Sequence, residues 1–467
     1  MTHRRLSPHG FWSGRLALVL AVTGSTVGLG NVWKFPYLAA QNGGGAFVLV
    51  YLGCVALIGL PLMVAELMLG RRGRSSPVTT LRTVALEEGR SPLWGLAGWL
   101  ALTAGFLILS TYSVVAGWAL AYVFRSAGGL FNGLDPLGAA RVFRELTSDP
   151  ERLIAWHTVF MVVTVGVVAR GVRHGIEEAV RWFVPALLAI LVALALYAYR
   201  FGAFPEAVAF LFVPDFAALN AGGVLAAMGH AFFSLSLGMG ALIAYGAYTD
   251  DNVPLLPMAC TVVVLDTAVA LLAGLVTFPL ALAGSLELAS GPGLVFQVLP
   301  TAFGAMPGGA VVGTLFFAVL VLAAWTSAIS LLEPAVAFAV ERLRIDRGLA
   351  ATLVGGAAWL LGVGSLLSFN LWSRVRATRD LPLLGDQTLF EFVNTLATSV
   401  LLPVSGLLLA LFVGWRLSAM SARVELGDGW GYGLWLFTLR VLTPLGMLVV
   451  LLHALGVPLP LIDGSDG

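Results

Sequence analysis

Two strings place polar groups where apolar chain surrounds them. The first is Gly24-Ser25-Thr26-Val27-Gly28-Leu29-Gly30-Asn31, closely followed by Lys34. The second is His230-Ala231-Phe232-Phe233-Ser234-Leu235-Ser236-Leu237-Gly238-Met239-Gly240. A glycine costs a helix about 0.5–1 kcal/mol relative to alanine, so both strings are weak points. Small residues also permit close helix packing, and the glycines alone leave that reading open. Asn31 and Lys34 tilt the balance, because polar groups at membrane depth are costly and mark function. An interrupted helix exposes carbonyls that can ligate a cation and N–H groups that attract a carboxylate. One such place could hold both Na⁺ and a zwitterion.

The elements that carry these strings are membrane spans. The chain has 467 residues, 59% hydrophobic and 11% charged, against about 25% charged in a soluble domain. Its mean hydropathy is +0.93. An interior alone cannot hide so much apolar surface, whereas a lipid-facing exterior can. Charge-poor runs of the roughly 20 residues a span needs include Leu16 to Trp33, Phe35 to Ala65, Ser91 to Phe124, Leu153 to Ala169 and Trp182 to Tyr199. Phe216 to Thr249, Met258 to Ala283, Gly348 to Ser373, Phe392 to Trp415 and Gly433 to Leu455 continue the series. Leu288 to Leu332 is too long for one span and holds Gly291-Pro292-Gly293, so part of it reads as a re-entrant or surface helix. This predicts an all-α polytopic membrane protein of about 11 transmembrane helices.

Weak centres near residues 27 and 237 divide the chain into two repeats of five spans, about 14–201 and 216–416. An extra helix at 433–455 completes one transmembrane domain over 1–457. Arginines in the loops on the amino-terminal side outnumber those on the other side roughly two to one, which places the N-terminus in the cytoplasm and the C-terminus outside. Arg4, Arg5, Arg71, Arg72, Arg74, Arg82 and Arg90 belong to the inner set. Those after span two read as topology determinants and anionic-lipid contacts. Met1 to Pro8 leads into the first apolar run without a small-residue cleavage site, so that run is read as a retained span. A net charge of +1 suggests no nucleic-acid partner. Cys54 and Cys260 lie in apolar runs and read as small core residues. No obligatory protein partner is expected beyond membrane lipid.

The collinear set Gly24 to Pro36, Asn42-Gly43-Gly44-Gly45-Ala46-Phe47, Gly59-Leu60-Pro61-Leu62-Met63 with Glu66 and Gly70-Arg71, Phe232 to Gly238, and Trp325-Thr326-Ser327-Ala328 with Glu333-Pro334 resembles the neurotransmitter:sodium symporter family, particularly its prokaryotic amino acid transporters. The resemblance covers nearly the whole chain. It implies the leucine-transporter type of fold in the cell membrane, with broken first and sixth helices, two sodium sites and an amino acid carried by alternating access. The first sodium site would use the carbonyl of Thr26, the side chains of Asn31 and Ser234, and Asp266. The second would use carbonyls of Gly24, Val27 and Ala323 with the hydroxyls of Thr326 and Ser327. Those hydroxyls could instead simply bond back to the preceding helical turn.

The resemblance places the substrate among Ser25, Thr26, Gly28, Leu29, Gly30, Ile108, Tyr112, Phe233, Ser234, Ser236, Met239, Ser327 and Leu331. Tyr112 would hold its carboxylate, although an ordinary packing tyrosine is the plainer alternative. Phe233 would be an outer lid. The wall of Leu29, Ile108, Met239 and Leu331 suits a neutral, apolar side chain. The seventh-helix sodium position, often Asn in the family, is Asp266 here, and Ala270 stands where the leucine-transporter type has an acid. Asp266 would then replace the chloride that other members require. The outer gate would pair Lys34 with Glu391 or Asn394, weakly or through water. Gly175 and Pro185 would let span five unwind on its inner side. His230 would hydrogen-bond near the break, with proton coupling a lesser alternative.

A small amine as cargo and a non-transporting amino acid sensor are the competing readings. An intramembrane enzyme is disfavoured: no His-Glu-x-x-His string and no serine–base arrangement is present.

Overall fold

The structure is a computed structural model and describes residues 7–284, 293–378, 386–426 and 430–457. Arg4, Arg5, Gly291, Pro292, Arg379 and the residues after 457 lie outside it. Among the described residues, helices make up the architecture. In chain order they are α1 (Arg15–Thr26), α2 (Gly30–Gln41), α3 (Gly45–Gly73), α4 (Pro77–Glu87), α5 (Pro92–Ala127), α6 (Pro136–Ser148), α7 (Pro150–Ala169), α8 (Val172–Phe201) and α9 (Phe204–Phe212). The second half comprises α10 (Ala221–Ser234), α11 (Ala241–Ala247), α12 (Leu255–Ala283), α13 (Leu294–Ala305), α14 (Gly309–Leu343), α15 (Arg347–Leu367), α16 (Leu389–Arg416), α17 (Ala419–Leu426) and α18 (Gly431–Ala454).

Among the described residues, nine helices are long and apolar enough to cross a bilayer, and α1 with α2 makes a tenth span bent by 51°. The α10–α11 pair, too short piece by piece, supplies an eleventh when taken as one interrupted span. The protein is therefore an all-α polytopic membrane protein. Large apolar side chains such as Trp182, Leu196, Tyr199, Leu353 and Leu360 face outward, as lipid contact requires.

Local chemistry sets the helix starts. Asp135, Asp149, Asn220 and Asp346 each accept an N–H from the first turn of α6, α7, α10 and α15. Such caps occupy donors that a helix leaves unpaired at its start. The short helix α13 bears out the extra helix expected before span eight.

Two span limits differ from expectation. Lys34 does not end span one; α2 carries that span on to Gln41, and α3 begins only at Gly45. The reason is that Lys34 is exposed to an outer cavity rather than to lipid, so its charge does not force the helix to stop. The turn between α2 and α3 is held tight by Gly44 at φ 54°, where a Cβ would stand 2.2 Å from Phe210 O of α9. At the other end of α3, Arg71 and Arg74 are buried rather than spread on a lipid surface. Arg71 donates to Val253 O at 2.6 Å, and Arg74 bonds Thr249 O and Asp251. They tie α3 to the chain that follows α11.

Span five stays helical through Pro185, with a wider π turn over Val172–Glu177. Gly175 is required there because a Cβ would lie 2.0 Å from Val167 O. The inner unwinding expected from Gly175 and Pro185 is absent from this conformation.

Candidate functional site

The break in span one begins where Val27 leaves helical geometry at φ −71°, ψ 105°. Its N–H still reaches Thr23 O, and the helical ladder resumes only at Asn31 and Val32, which both donate to Gly28 O. The break in span six covers Leu235 to Gly240, with Ser236, Gly238 and Gly240 at φ 53°, 73° and 76°. Left-handed geometry is unfavourable for serine. Ser236 is held there by donating its hydroxyl to Ser25 O at 2.7 Å, which joins the two breaks. Glu66 of α3, fully buried, accepts from Gly238 N at 2.7 Å and secures the other side of the loop.

Asp266 lies on α12 beside these breaks and is 0% exposed. Its carboxylate accepts from Ser234 Oγ at 2.8 Å and Asn31 Nδ2 at 2.9 Å. Asn31 Oδ1 accepts from Gly28 N at 3.1 Å. Tyr51 donates to Ser234 at 3.4 Å. The structure thus gathers Asn31, Ser234 and Asp266 into one oxygen-rich cluster next to the broken backbone at Thr26. Hard cations favour this donor set.

A second group joins α1 to α14. A Cβ on Gly24 would lie 3.1 Å from Thr326 Cβ and 3.2 Å from Val184 Cγ2, so the helices meet closely here and a larger residue would press on both. Thr326 donates back to Ala323 O at 3.0 Å, the helix-internal alternative, yet its oxygen retains acceptor capacity. Ser327 crosses to span one and reaches Val27 O at 3.2 Å.

Between the two groups is a cavity of about 20 Å³ lined by Thr26, Gly28, Gly30, Ile108, Tyr112, Phe233, Ser234, Ser236, Met239, Ser327 and Leu331. A Cβ on Gly28 would stand 2.7 Å from Ser327 Oγ and 2.9 Å from Tyr112 Oη, so a side chain there would displace these hydroxyls. Tyr112 accepts from Leu29 N at 3.0 Å. Two expected lining residues are placed differently. Ser25 turns its hydroxyl to Ser330 at 2.9 Å, and Leu29 faces an outer cavity of about 300 Å³. That outer cavity shares Gly30, Ile108, Tyr112 and Phe233 with the inner one, so Phe233 stands between them.

The outer gate does not pair Lys34 with Glu391. Lys34 Nζ sits 5.1 Å from the Phe233 ring centroid, a cation–π contact that joins the base to the residue expected as the lid. Glu391 is taken up by the start of α16, where it and Thr388 form a reciprocal capping box. Asn394 lines the outer cavity with Lys34. Accordingly Glu391→Ala should leave substrate affinity within about twofold while lowering thermal stability by about 1 kcal/mol. Binding and melting measurements on the same preparation check both.

His230 also differs from expectation. Neither ring nitrogen has a hydrogen-bond partner; the imidazole packs 5.4 Å from Tyr51 and 6.0 Å from Phe35, ring centre to ring centre. Sequence reasoning missed Tyr51 and Ser330, and placed Glu66 in a motif without a role. An ionisable residue inside an apolar run was the usable signal for Glu66; Tyr51 and Ser330 carried none.

This geometry matches what comparison with known proteins finds. Residues 9–131 and 146–371 match the model of the sodium:neurotransmitter symporter family. An uncharacterized sodium-dependent transporter of Bacillus subtilis (strain 168), YhdH, is 34% identical over 451 residues, covering 96% of this chain and 98% of its own. An uncharacterized sodium-dependent transporter of Haemophilus influenzae (strain ATCC 51907 / DSM 11121 / KW20 / Rd) is 31% identical, covering 95% and 98%. The crystal structure of MhsT in complex with L-phenylalanine is similar with a TM-score of 0.86 and 42% identity, covering 95% of this chain and 99% of that one. The chain belongs to the sodium:neurotransmitter symporter family. It is a sodium-dependent membrane transporter and not an enzyme.

Proposed function

We propose that the cargo is a neutral amino acid with an apolar side chain, carried inward with Na⁺ by alternating access and without chloride. The observation that carries this is the hydrogen bond from Leu29 N to Tyr112 Oη. Because the phenol oxygen already accepts there, its own proton can go to a carboxylate in the inner cavity. The start of α2, with its N–H groups at the break, favours the same negative charge. A small amine lacks the group these donors are arranged to hold.

Ile108, Met239, Leu331 and Phe233 form an apolar wall. Met239 stands between two glycines of positive φ, and a flexible thioether adapts to different shapes. The cavity of about 20 Å³ must widen to admit an apolar side chain, and this wall can yield; the similar MhsT is solved with L-phenylalanine.

Two sodium sites are assigned. Thr26, Asn31, Ser234 and Asp266 form the first; Gly24, Val27, Ala323, Thr326 and Ser327 form the second. Sodium is co-substrate, and an inward membrane potential near 100 mV contributes about 2.3 kcal/mol per charge. Asp266 supplies the negative charge at the first site. Two repeats, 14–201 and 216–416, rock about these breaks, with the helix at 433–455 outside them. The N-terminus is cytoplasmic and the C-terminus extracytoplasmic.

Sodium and substrate binding should each tighten the other by the same factor. Binding of the twenty amino acids to purified protein, with and without Na⁺, tests the assignment. Sodium-dependent binding of apolar members is the expected result; binding of none would overturn the substrate class.

A further inference from the structure

Arginines meet at the end of α16 without an acid to pair them. Arg440 lies inside the apolar span α18, yet its Nε donates to Gly414 O of α16 at 2.5 Å. Its guanidinium lies over the Trp415 ring, 5.6 Å from the centre, and the Trp415 indole donates to Arg440 O at 3.2 Å. Arg90, from the chain after α4, donates to Arg416 O at 3.3 Å. The Arg416 side chain is exposed. Among the described residues, none of these three arginines forms an ion pair. Glu88, which accepts from Ser418 N at 2.9 Å, is paired with Arg72 at 2.7 Å.

This end of α16 is at a membrane boundary. Trp94 packs 5.0 Å from Phe412 on one side and Trp415 stands on the other, as aromatic rings do at the headgroup level. An arginine near a helix end can do no more than cap the last carbonyls. Arg440 spends one N–H on that task, and its other donors face no acceptor among the described residues. The surroundings favour a lipid over a free anion. Trp415 is 58% exposed, and Val441, Leu445 and Leu448 form an exposed apolar stripe running from Arg440 along the span. Beyond the cluster, α17 exposes Met420 and Val424, one turn apart, at 78% and 79%.

We propose that the ends of α16 and α18 bind one anionic phospholipid, with its phosphate on Arg440 and Arg416 and an acyl chain along Val441, Leu445 and Leu448. A guanidinium matches two phosphate oxygens at once, and Trp415 holds the Arg440 plane in place. A zwitterionic headgroup carries its own cation and gains less from the cluster. The lipid bridges α16 to α18, which lies outside the two repeats. In the orientation proposed above, the site belongs to the inner leaflet. It is remote from the cargo cavity and does not depend on what the cargo is.

Native mass spectrometry of the full-length purified protein, titrated with dioleoyl phosphatidylglycerol or dioleoyl phosphatidylcholine, tests the site. The wild type should hold its first phosphatidylglycerol about tenfold more tightly than phosphatidylcholine. Arg440→Gln and Arg416→Gln should each reduce that preference about fivefold, and Arg440→Lys should keep part of it. Arg374→Gln, a control on the opposite side, should change nothing. The Arg416 side chain makes no bond to the protein among the described residues, so its variant retains the fold even if Arg440→Gln does not. Equal affinity for the two lipids in the wild type overturns the proposal, as does a preference that survives in Arg416→Gln. Arg440→Gln with a lower melting temperature and an unchanged preference reduces Arg440 to a helix cap and also overturns it. Displacement of phosphatidylglycerol by excess inorganic phosphate would mark a free-anion site and overturn the lipid assignment.

Discussion

Asp266→Asn should weaken sodium-dependent substrate binding by about a hundredfold or more, the loss that follows when a buried charge pair is broken from one side. The carboxylate is fully buried and held by Ser234 and Asn31. Asparagine keeps the volume but supplies no charge to offset a cation. Ser234 can rotate its hydroxyl and accept from the new amide, whose oxygen can still accept from Asn31 Nδ2, so the charge is what the substitution removes. Chloride replacement gives the companion result. If Asp266 is the counter-charge, wild-type uptake should stay unchanged when gluconate replaces chloride, and chloride should partly restore Asp266→Asn. Wild-type uptake that collapses in gluconate would sink the assignment. Sodium titrations with labelled substrate read both effects.

Tyr112→Phe should weaken substrate affinity by about 10- to 100-fold, the range expected for losing a hydrogen bond to a charged group. Sodium binding measured without substrate should change little, because Tyr112 belongs to none of the proposed sodium ligands. This split separates a carboxylate contact from a general packing role. A packing tyrosine would lose thermal stability and leave affinity intact. A second effect accompanies the substitution: Leu29 N loses its acceptor, so the break itself becomes less well held. Equal affinity in the two proteins would remove Tyr112 from the carboxylate site and leave the N–H groups of α2 as the remaining candidates.

Much of this protein was legible from sequence. Length, apolar content and spacing of charges specify an all-α membrane protein, because lipid leaves helices as the local solution for unpaired backbone groups. The glycines and hydroxyls near residues 27 and 237 mark the two breaks, since their cost to a helix is a local property. The residue types Asn31, Ser234, Asp266, Thr326 and Ser327 announce oxygen ligands.

Tertiary structure decided which partner each group takes. Glu391 lies one turn before the expected gate position at Asn394, and the start of α16 needed an acceptor and took it. Lys34 turned to Phe233. Ser25 turned from the cavity to Ser330, while Ser236 bridged the two breaks. Glu66 became the support of the sixth-span loop. Helix formation and helix breaking depend on neighbours within a turn or two, so the sequence by itself determined them. Partner choice depends on which helices meet, at what height and with which face, and that is decided only when residues hundreds of positions apart are packed together.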